Sequence, residues 1–271
     1  MKKNSCPRKL CYSNKLPDNQ STEESKGPEI NSVPSITRDE VIVTRPLVHA
    51  EDDYVPLIVI LSCQKNKKIW DRVLAQNENS IIFCADLTQK EDFILKNRVL
   101  YLKCGDTYDC LPEKIVMMIH AILQMSQFNR YTHIMKVDDH DTSFDKNLIY
   151  DIKKTLDGLR KLGLRSDYIG QMVCGYKKLT ITISNRMWHF GKCPKKSYWD
   201  NRIYRGEYRS WIDGGCGYIL SRKALKIIKK SFPVISTIYK KHIFEDVMVG
   251  VTLFHNGIFP IKIPKIIKGD K

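Results

Sequence analysis

The 271-residue sequence lacks any apolar run of the roughly 18 to 20 residues that a membrane-spanning helix needs. It also lacks a CxxC pair, and its nine cysteines are scattered, so a zinc ribbon has little support. No apolar stretch follows the basic N-terminus, so we see no secretory signal. We therefore expect a cytoplasmic location, or one peripheral to a membrane surface, with buried and reduced thiols such as Cys63 and Cys84.

The positive charge of the chain is placed unevenly. The formal net charge is +15, and residues 151–271 alone carry 25 basic and nine acidic side chains. A field of this sign attracts nucleic acid, an anionic membrane surface or a phosphate-bearing substrate. Charge by itself does not choose among these partners.

The chain divides into a polar tail and one folded domain. Residues 1–52 are rich in Ser, Asn, Pro, Glu and Lys without a sustained apolar period, which predicts a flexible tail. Within 53–271, short β-branched runs alternate with helical spacings, which predicts one α/β domain with a mainly parallel sheet. The expected strands are Val55–Ser62, Ser80–Ala85, Arg98–Lys103, Thr132–Val137, Tyr168–Val173 and Leu179–Ser184. The expected helices are Lys65–Asn77, Pro112–Gln127, Asn147–Leu162, Arg222–Lys230 and Phe244–Asn256, and Trp188–Trp211 is expected to be a loop.

An acidic cluster, Asp138-Asp139-His140-Asp141, follows the expected strand Thr132–Val137. Ligands of parallel sheets bind beyond the carboxyl ends of the strands, where this cluster falls. Carboxylates beside an imidazole suit Mn²⁺ or Mg²⁺, which would balance their charge and bind a diphosphate. A solvated turn or a helix cap is an equal alternative from the local sequence.

Three further elements carry candidate site residues. Glu245-Asp246 opens an expected helix and is either a pair of caps or a general base that deprotonates an acceptor hydroxyl. Trp211 and Asp213 precede Gly214 and Gly215, a turn that permits close approach of a ligand, with Trp211 able to stack on a sugar. The third element is a strand-to-helix turn with Asp106 and Lys114. Lys114 is either a solvated helix residue or a residue that supports the pocket of a donor substrate.

Together the four elements resemble the Fringe and β1,3-galactosyltransferase group. The family order D-x-Y-x-x-L-x-x-K, K-V-D-D-x, G-G-x-G-Y-x-L-S and E-D-V-x-V-G is present over roughly residues 54–260. It is carried by Asp106, Tyr108, Leu111 and Lys114, by Lys136–His140, by Gly214–Ser221 and by Glu245–Gly250.

The resemblance implies a GT-A type fold and inverting transfer of a hexose or N-acetylhexosamine from a UDP-sugar to the hydroxyl of a glycan, a glycoprotein or another acceptor. It implies Asp246 as catalytic base with Glu245 beside it. Asp138, Asp139, Lys114 and Asp106 are the expected donor-binding residues. The expected acceptor-binding residues are Trp211, Asp213, Gly214 and Gly215, and the expected Mn²⁺ ligands are Asp139, His140 and Asp141.

Departures from the family pattern keep alternatives open. His140 stands where the family has a third aspartate, and no downstream metal-binding histidine is evident, since His255 lies only nine residues after Asp246. A catalytically impaired homologue that binds glycan or nucleotide is therefore one alternative. A nucleic-acid-binding protein, suggested by aromatic and basic residues in Trp188–Trp211, is the other. No known nucleic-acid-binding motif is present, so no nucleic acid partner is expected.

Overall fold

The computed structural model describes residues 54–139, 147–171, 173–174 and 181–263. They all belong to one compact unit that spans residues 50–271. The expected tail, residues 1–52, lies outside the described residues, so the predicted division of the chain stays a prediction.

The described residues form ten strands in two sheets. The large sheet has eight strands in the order β10-β6-β9-β5-β1-β2-β4-β3. Six of its strands run in one direction and only β3 and β9 run against them, which confirms the mainly parallel sheet. Strands β7 and β8 form a separate antiparallel pair. The bounds are β1 Pro56–Leu61, β2 Ser80–Ala85, β3 Phe93–Lys96, β4 Val99–Leu102, β5 His133–Asp138, β6 Tyr168–Gly170, β7 Val173–Cys174, β8 Trp211–Ile212, β9 Tyr218–Ser221 and β10 Ile261–Lys262.

Helices cover both faces of the large sheet. Apolar side chains of α2, α5 and α7 pack on one face, and those of α1 and α3 pack on the other. Strand β1 lies between these layers and its first five residues are buried, which explains why it reads as a continuous apolar run. The helices are α1 Trp70–Ala75, α2 Leu111–Gln124, α3 Leu148–Lys161, α4 Ile183–Arg186, α5 Arg222–Ser231, α6 Ile238–Lys241 and α7 Glu245–Phe254. Short 3-10 segments span Gln64–Ile69, Tyr108–Cys110, Ser126–Phe128, Gly214–Cys216 and Ile235–Thr237.

One expected strand is wrong in its described part. The alternating sequence Leu179–Ser184 predicts a strand, but Ile183 and Ser184 begin the helix α4, and residues 179–180 lie outside the described residues. The side chain of Thr182 accepts a hydrogen bond from the Asn185 backbone N–H, and the Asn185 side chain accepts one from the Thr182 N–H. This local capping box satisfies the first turn of a helix and outweighs the β-branched alternation.

The expected loop Trp188–Trp211 is irregular down to β8, but it contributes a small apolar core. Its buried Trp199 and Tyr204 pack with residues at the start of α7 and just before it. We call this set the aromatic cluster, and its buried members are Trp199, Tyr204, Ile243, Phe244 and Val247. Trp199 and Tyr204, which were candidates for stacking on nucleic acid, are therefore buried in protein contacts.

The seven described cysteines form no disulfide bond with one another. Cys84 and Cys104 are buried, and burial raises the pKa of each thiol to about 12, as expected of unreactive core cysteines. Cys63 is only half-buried, so the prediction of burial is confirmed for Cys84 and wrong for Cys63.

Among the residues that the structure describes, no helix has the length and apolar character that crossing a membrane requires.

Candidate active site

The site begins where β1 and β5 end side by side. Leu61 and Asp138 are partners in the parallel register, and the Asp139 N–H continues the ladder to the Leu61 carbonyl at 3.1 Å. The next residue after β1, Ser62, therefore lies beside Asp139. Its hydroxyl donates to Asp139 Oδ2 at 2.5 Å and accepts from the Trp70 indole N–H at 2.7 Å.

Asp139 is held in a single orientation by side chains from the β1–α1 connection. Its Oδ2 accepts hydrogen bonds from Ser62 and from the Asn66 amide, the latter at 2.7 Å. The residue is buried, with 6% of its surface exposed. Within the described part of the chain both hydrogen bonds reach the same oxygen, which leaves Oδ1 for another partner.

The buried Lys114 forms an ion pair with the partly exposed Asp106 next to Ser62. The Lys114 ammonium lies 2.5 Å from Asp106 Oδ1 and 3.3 Å from the Ser62 carbonyl, and only 2% of its side chain is exposed. Asp106 Oδ2 accepts from the Gln64 N–H at 2.8 Å. The alternative that Lys114 is a solvated helix residue is therefore wrong. The pair ties α2 to the loop that follows β1.

Lys136 joins the acidic cluster to the other two motifs. Its ammonium lies 2.7 Å from Asp138 Oδ1, 2.9 Å from Glu245 Oε1 and 3.1 Å from the Gly214 carbonyl. The side chain is 1% exposed. Burial alone lowers the pKa of Lys136, but the two carboxylates outweigh it and raise the pKa above its usual value. Lys136 is therefore a permanent buried cation.

Both oxygens of Glu245 have partners in the core. Lys136 binds Oε1, and the Tyr218 hydroxyl donates to Oε2 at 2.8 Å. Lys136 and Tyr218 stand opposite each other on the antiparallel strands β5 and β9, so their side chains leave the same face of the sheet and meet the start of α7 there. Glu245 is buried, with 7% of its surface exposed. Because both of its oxygens are bound, the geometry assigns Glu245 a positioning role.

Asp246 differs from Glu245 because it is partly exposed and is not paired with Lys136. Its Oδ2 accepts from the Gly214 N–H at 3.2 Å and its Oδ1 from its neighbour Val247 N–H at 2.7 Å. Burial first, and then the charge of Glu245, raise the pKa of Asp246 to about 7. A carboxylate poised near neutral pH has the property that a general base needs.

Gly214 occupies the narrow space between β5 and α7. A Cβ added at Gly214 would lie 2.4 Å from Glu245 Oε1 and 3.3 Å from the Asp246 Cβ. A side chain there would force the Glu245 carboxylate to move and would crowd the Asp246 Cβ. Glycine at position 214 thus lets the backbone approach both motifs closely. Its N–H donates to Asp246, and its carbonyl accepts from Lys136.

We expect Gly214→Ala to destabilise the fold by about 1–3 kcal/mol, because the methyl group overpacks the site. A matched control is Gly158→Ala in α3, where an added Cβ meets nothing within 4 Å. That control is expected to stabilise by about 0.4–1 kcal/mol, since alanine restricts the unfolded chain. Urea denaturation of the two variants measures both effects. Equal stability of Gly214→Ala and the parent protein would contradict the packing that we describe.

The remaining acceptor-side candidates lie in the turn between β8 and β9. Asp213 Oδ1 accepts from the N–H groups of Gly215 and Cys216 at 2.8 and 3.2 Å, so this carboxylate shapes the turn. The Trp211 ring is half-buried against Tyr208, with a centroid distance of 5.5 Å. Trp211 and Asp213 stay predictions as sugar-binding residues.

The predicted metal ligands are described only in part. His140 and Asp141 lie outside the described residues, and among those described no group of three or more His, Cys, Asp or Glu side chains is placed to hold a metal ion. Asp139 suits the role of one ligand, since Ser62 and Asn66 orient its carboxylate as supporting residues do in metal sites. Asp138 suits it less, because the Lys136 ammonium already binds Oδ1.

The structure brings together residues from all four sequence motifs, and adds some that sequence reasoning missed. Ser62, Asn66 and Tyr218 were not among the candidates, nor was Lys136, although Lys136 and Tyr218 lie within the quoted motifs. A lysine inside an otherwise apolar strand is the one signal that was available for Lys136, because a buried charge requires a partner. Ser62 and Asn66 carried no such signal.

Two comparisons with known proteins give a match, and one does not. The family model described as galactosyltransferase matches residues 84–264. This range holds the acidic cluster, the Gly214 turn and the Glu245-Asp246 pair. No curated protein matches the sequence.

A solved structure of the bifunctional IspDF from Campylobacter jejuni is similar at 12% identity and a TM-score of 0.38. The match covers 80% of this chain and 52% of that one, so the chain spans about half the length of that structure.

Proposed function

The chain belongs to the galactosyltransferase family, and from this we propose that it is an inverting glycosyltransferase that uses a UDP-sugar. The eight-stranded, mainly parallel sheet flanked by helices is the GT-A type fold that the sequence resemblance implied. The observation that carries the proposal is Asp246, a partly exposed carboxylate that accepts from the Gly214 N–H and is linked through Gly214 and Lys136 to Asp138. Its raised pKa of about 7 suits the role of a base.

In the proposed reaction Asp246 accepts the proton of the acceptor hydroxyl as that oxygen attacks the anomeric carbon. The new glycosidic bond forms as the bond from the sugar to the diphosphate breaks, so the configuration inverts in one displacement. The N–H groups of Gly214 and Val247 hold the carboxylate in place. Because both oxygens of Glu245 are engaged, we assign it to holding Lys136 and the helix start rather than to proton transfer.

The donor side of the proposed site is the edge that carries Asp138, Asp139, Asp106 and Lys114. We propose that Asp139 holds Mn²⁺, or Mg²⁺, together with His140 or Asp141. When bound, the ion supplies positive charge against the diphosphate. Ser62 and Asn66 keep Asp139 oriented for this, and the Lys114–Asp106 pair keeps the loop after β1 in place.

The proposal is tested by measuring UDP release from UDP-Gal, UDP-GlcNAc, UDP-Glc and UDP-GalNAc with Mn²⁺ or with EDTA. We expect one donor to be consumed in Mn²⁺ and none in EDTA. UDP binding without turnover on any donor, with plausible acceptors present, would instead favour the catalytically impaired homologue that His140 suggests.

The metal ligands are tested by comparing Asp139→Asn, His140→Ala and Asp141→Asn. We expect Asp139→Asn to raise the Mn²⁺ concentration for half-maximal activity by at least about tenfold, because the loss of a charged ligand should cost no less than the loss of a residue that supports one. One of the other two variants is expected to have a similar effect. If only Asp139→Asn responds, the ligand set proposed here is wrong.

A further inference from the structure

The segment 186–209 combines positive charge with aromatic rings that remain in water. It carries seven Lys or Arg and two acidic side chains. Although Trp199 and Tyr204 are buried in the aromatic cluster, 54% of the Trp188 surface is exposed. An exposed indole whose position is held by a neighbour offers a flat apolar face to a ligand.

Lys192 connects Trp188 to the donor-side motif. Its ammonium lies 3.8 Å from the centroid of the Trp188 ring and 5.4 Å from that of Tyr108, both within the range of a cation–π interaction. Tyr108 is the tyrosine of the D-x-Y motif. One surface therefore runs from the exposed Trp188 ring over a cation to Tyr108.

Tyr108 in turn lies on the side of the catalytic base. It packs against the aromatic cluster, whose members Phe244 and Val247 flank the Glu245-Asp246 pair in the sequence. Burial, and next the negative charge of Asp246, raise the pKa of Tyr108 above its usual value, which agrees with this proximity. Tyr108 thus connects Lys192, and through it Trp188, to the neighbourhood of Asp246.

We propose that Trp188 and Lys192 form an acceptor subsite for a glycan with an anionic group on its accepting sugar. The inference rests on the proposed function and adds the substrate class. The C–H face of the sugar takes the place of the Lys192 ammonium over the Trp188 indole, and the displaced ammonium binds a carboxylate or phosphate of the same sugar. The basic residues of 186–209 attract such an acceptor from solution.

The test is the binding of methyl β-D-glucuronide and methyl β-D-glucoside, measured by isothermal titration with UDP and Mn²⁺ present. These sugars differ only at C6, where the glucuronide has a carboxylate and the glucoside a hydroxymethyl group. We expect the glucuronide to bind about tenfold more tightly, the scale of one charge-assisted contact. Methyl β-D-glucoside 6-phosphate is the third arm, and it distinguishes a phosphate-bearing acceptor from a uronic acid.

Two variants assign the effect to residues. Lys192→Gln is expected to abolish the preference for the anionic sugar, and Trp188→Ala to weaken all three sugars by about tenfold, the scale of one stacking contact. Matched controls are Lys161→Gln and Leu162→Ala at the exposed C-terminal end of α3. Helix α3 starts near the carboxyl end of β5 and runs back to the opposite edge of the sheet, so its C-terminal end lies away from the site. Both controls should bind the sugars as the parent does.

Equal affinity for the three sugars, no binding at millimolar concentrations, or unchanged affinities in both variants would overturn the subsite. The subsite would also be overturned if the parent protein retained a single-stranded oligonucleotide at physiological salt and the variants Lys192→Gln and Trp188→Ala did not. UDP titration and donor hydrolysis without acceptor report on the proposed function separately. A protein that binds and hydrolyses the donor but shows no anionic preference keeps its proposed function and loses only this subsite.

Discussion

Asp246→Asn is expected to lower the rate of sugar transfer by about 10²- to 10⁴-fold, because it removes the group that takes the acceptor proton. Asparagine keeps an oxygen for the N–H groups of Gly214 or Val247, so UDP affinity should change little. The measurement is kcat for transfer alongside the Kd for UDP. Asp157→Asn, on the exposed side of α3, is the control and should transfer at the parental rate.

The pH profile separates loss of the base from a structural defect. The parent enzyme should gain activity as pH rises through about 7, since only ionised Asp246 accepts a proton. The residual activity of Asp246→Asn should lack that rise. A variant that stays within threefold of the parent, or keeps the same profile, would show that another group is the base.

The raised pKa of Asp246 also has a consequence for stability. Between the unfolded value near 3.8 and the folded value near 7, the folded protein holds a proton that the unfolded chain has lost. Stability from this residue therefore falls as pH rises through that window. We expect the urea midpoint of the parent to drop more between pH 4 and pH 8 than that of Asp246→Asn. Identical pH dependence in the two proteins would contradict the raised pKa.

Lys136→Met is expected to destabilise the fold by about 3–5 kcal/mol, since it leaves the buried carboxylate of Glu245 without its cation. Methionine fills most of the volume of the lysine stem, so the loss reflects charge more than packing. Asp138 and the Gly214 carbonyl lose the same partner. Urea denaturation at pH 7.5 measures the change.

A double-mutant cycle assigns this loss to the ion pair. Glu245→Gln alone leaves Lys136 with Asp138, and the double variant Lys136→Met/Glu245→Gln removes both charges from the buried pair. The double variant should be more stable than Lys136→Met alone. Additive losses, with no recovery in the double variant, would show that the two residues do not interact in the way that the 2.9 Å contact implies.

Much of the chemistry of the site can be predicted from the sequence alone. The acidic cluster after an apolar strand, the Glu245-Asp246 pair and the glycine turn at Gly214 were all candidates, because strand ends and unusual residue types are local features. The alternation of apolar strands with helices likewise predicts the mainly parallel sheet, because an apolar run indicates that its segment is buried. The family match then agrees with the sequence resemblance.

The family resemblance named Asp246 as the base, but only the tertiary structure gives the physical difference between Asp246 and Glu245. Both are carboxylates in the sequence, yet Glu245 is bound by Lys136 and Tyr218, whereas Asp246 is partly exposed and has a pKa of about 7. Pairing of β5 with β9 brings together residues that are more than 80 positions apart, and no local pattern encodes that register. Sequence thus determined which chemical groups are available, and the fold decided which of them are neutralised and which can react.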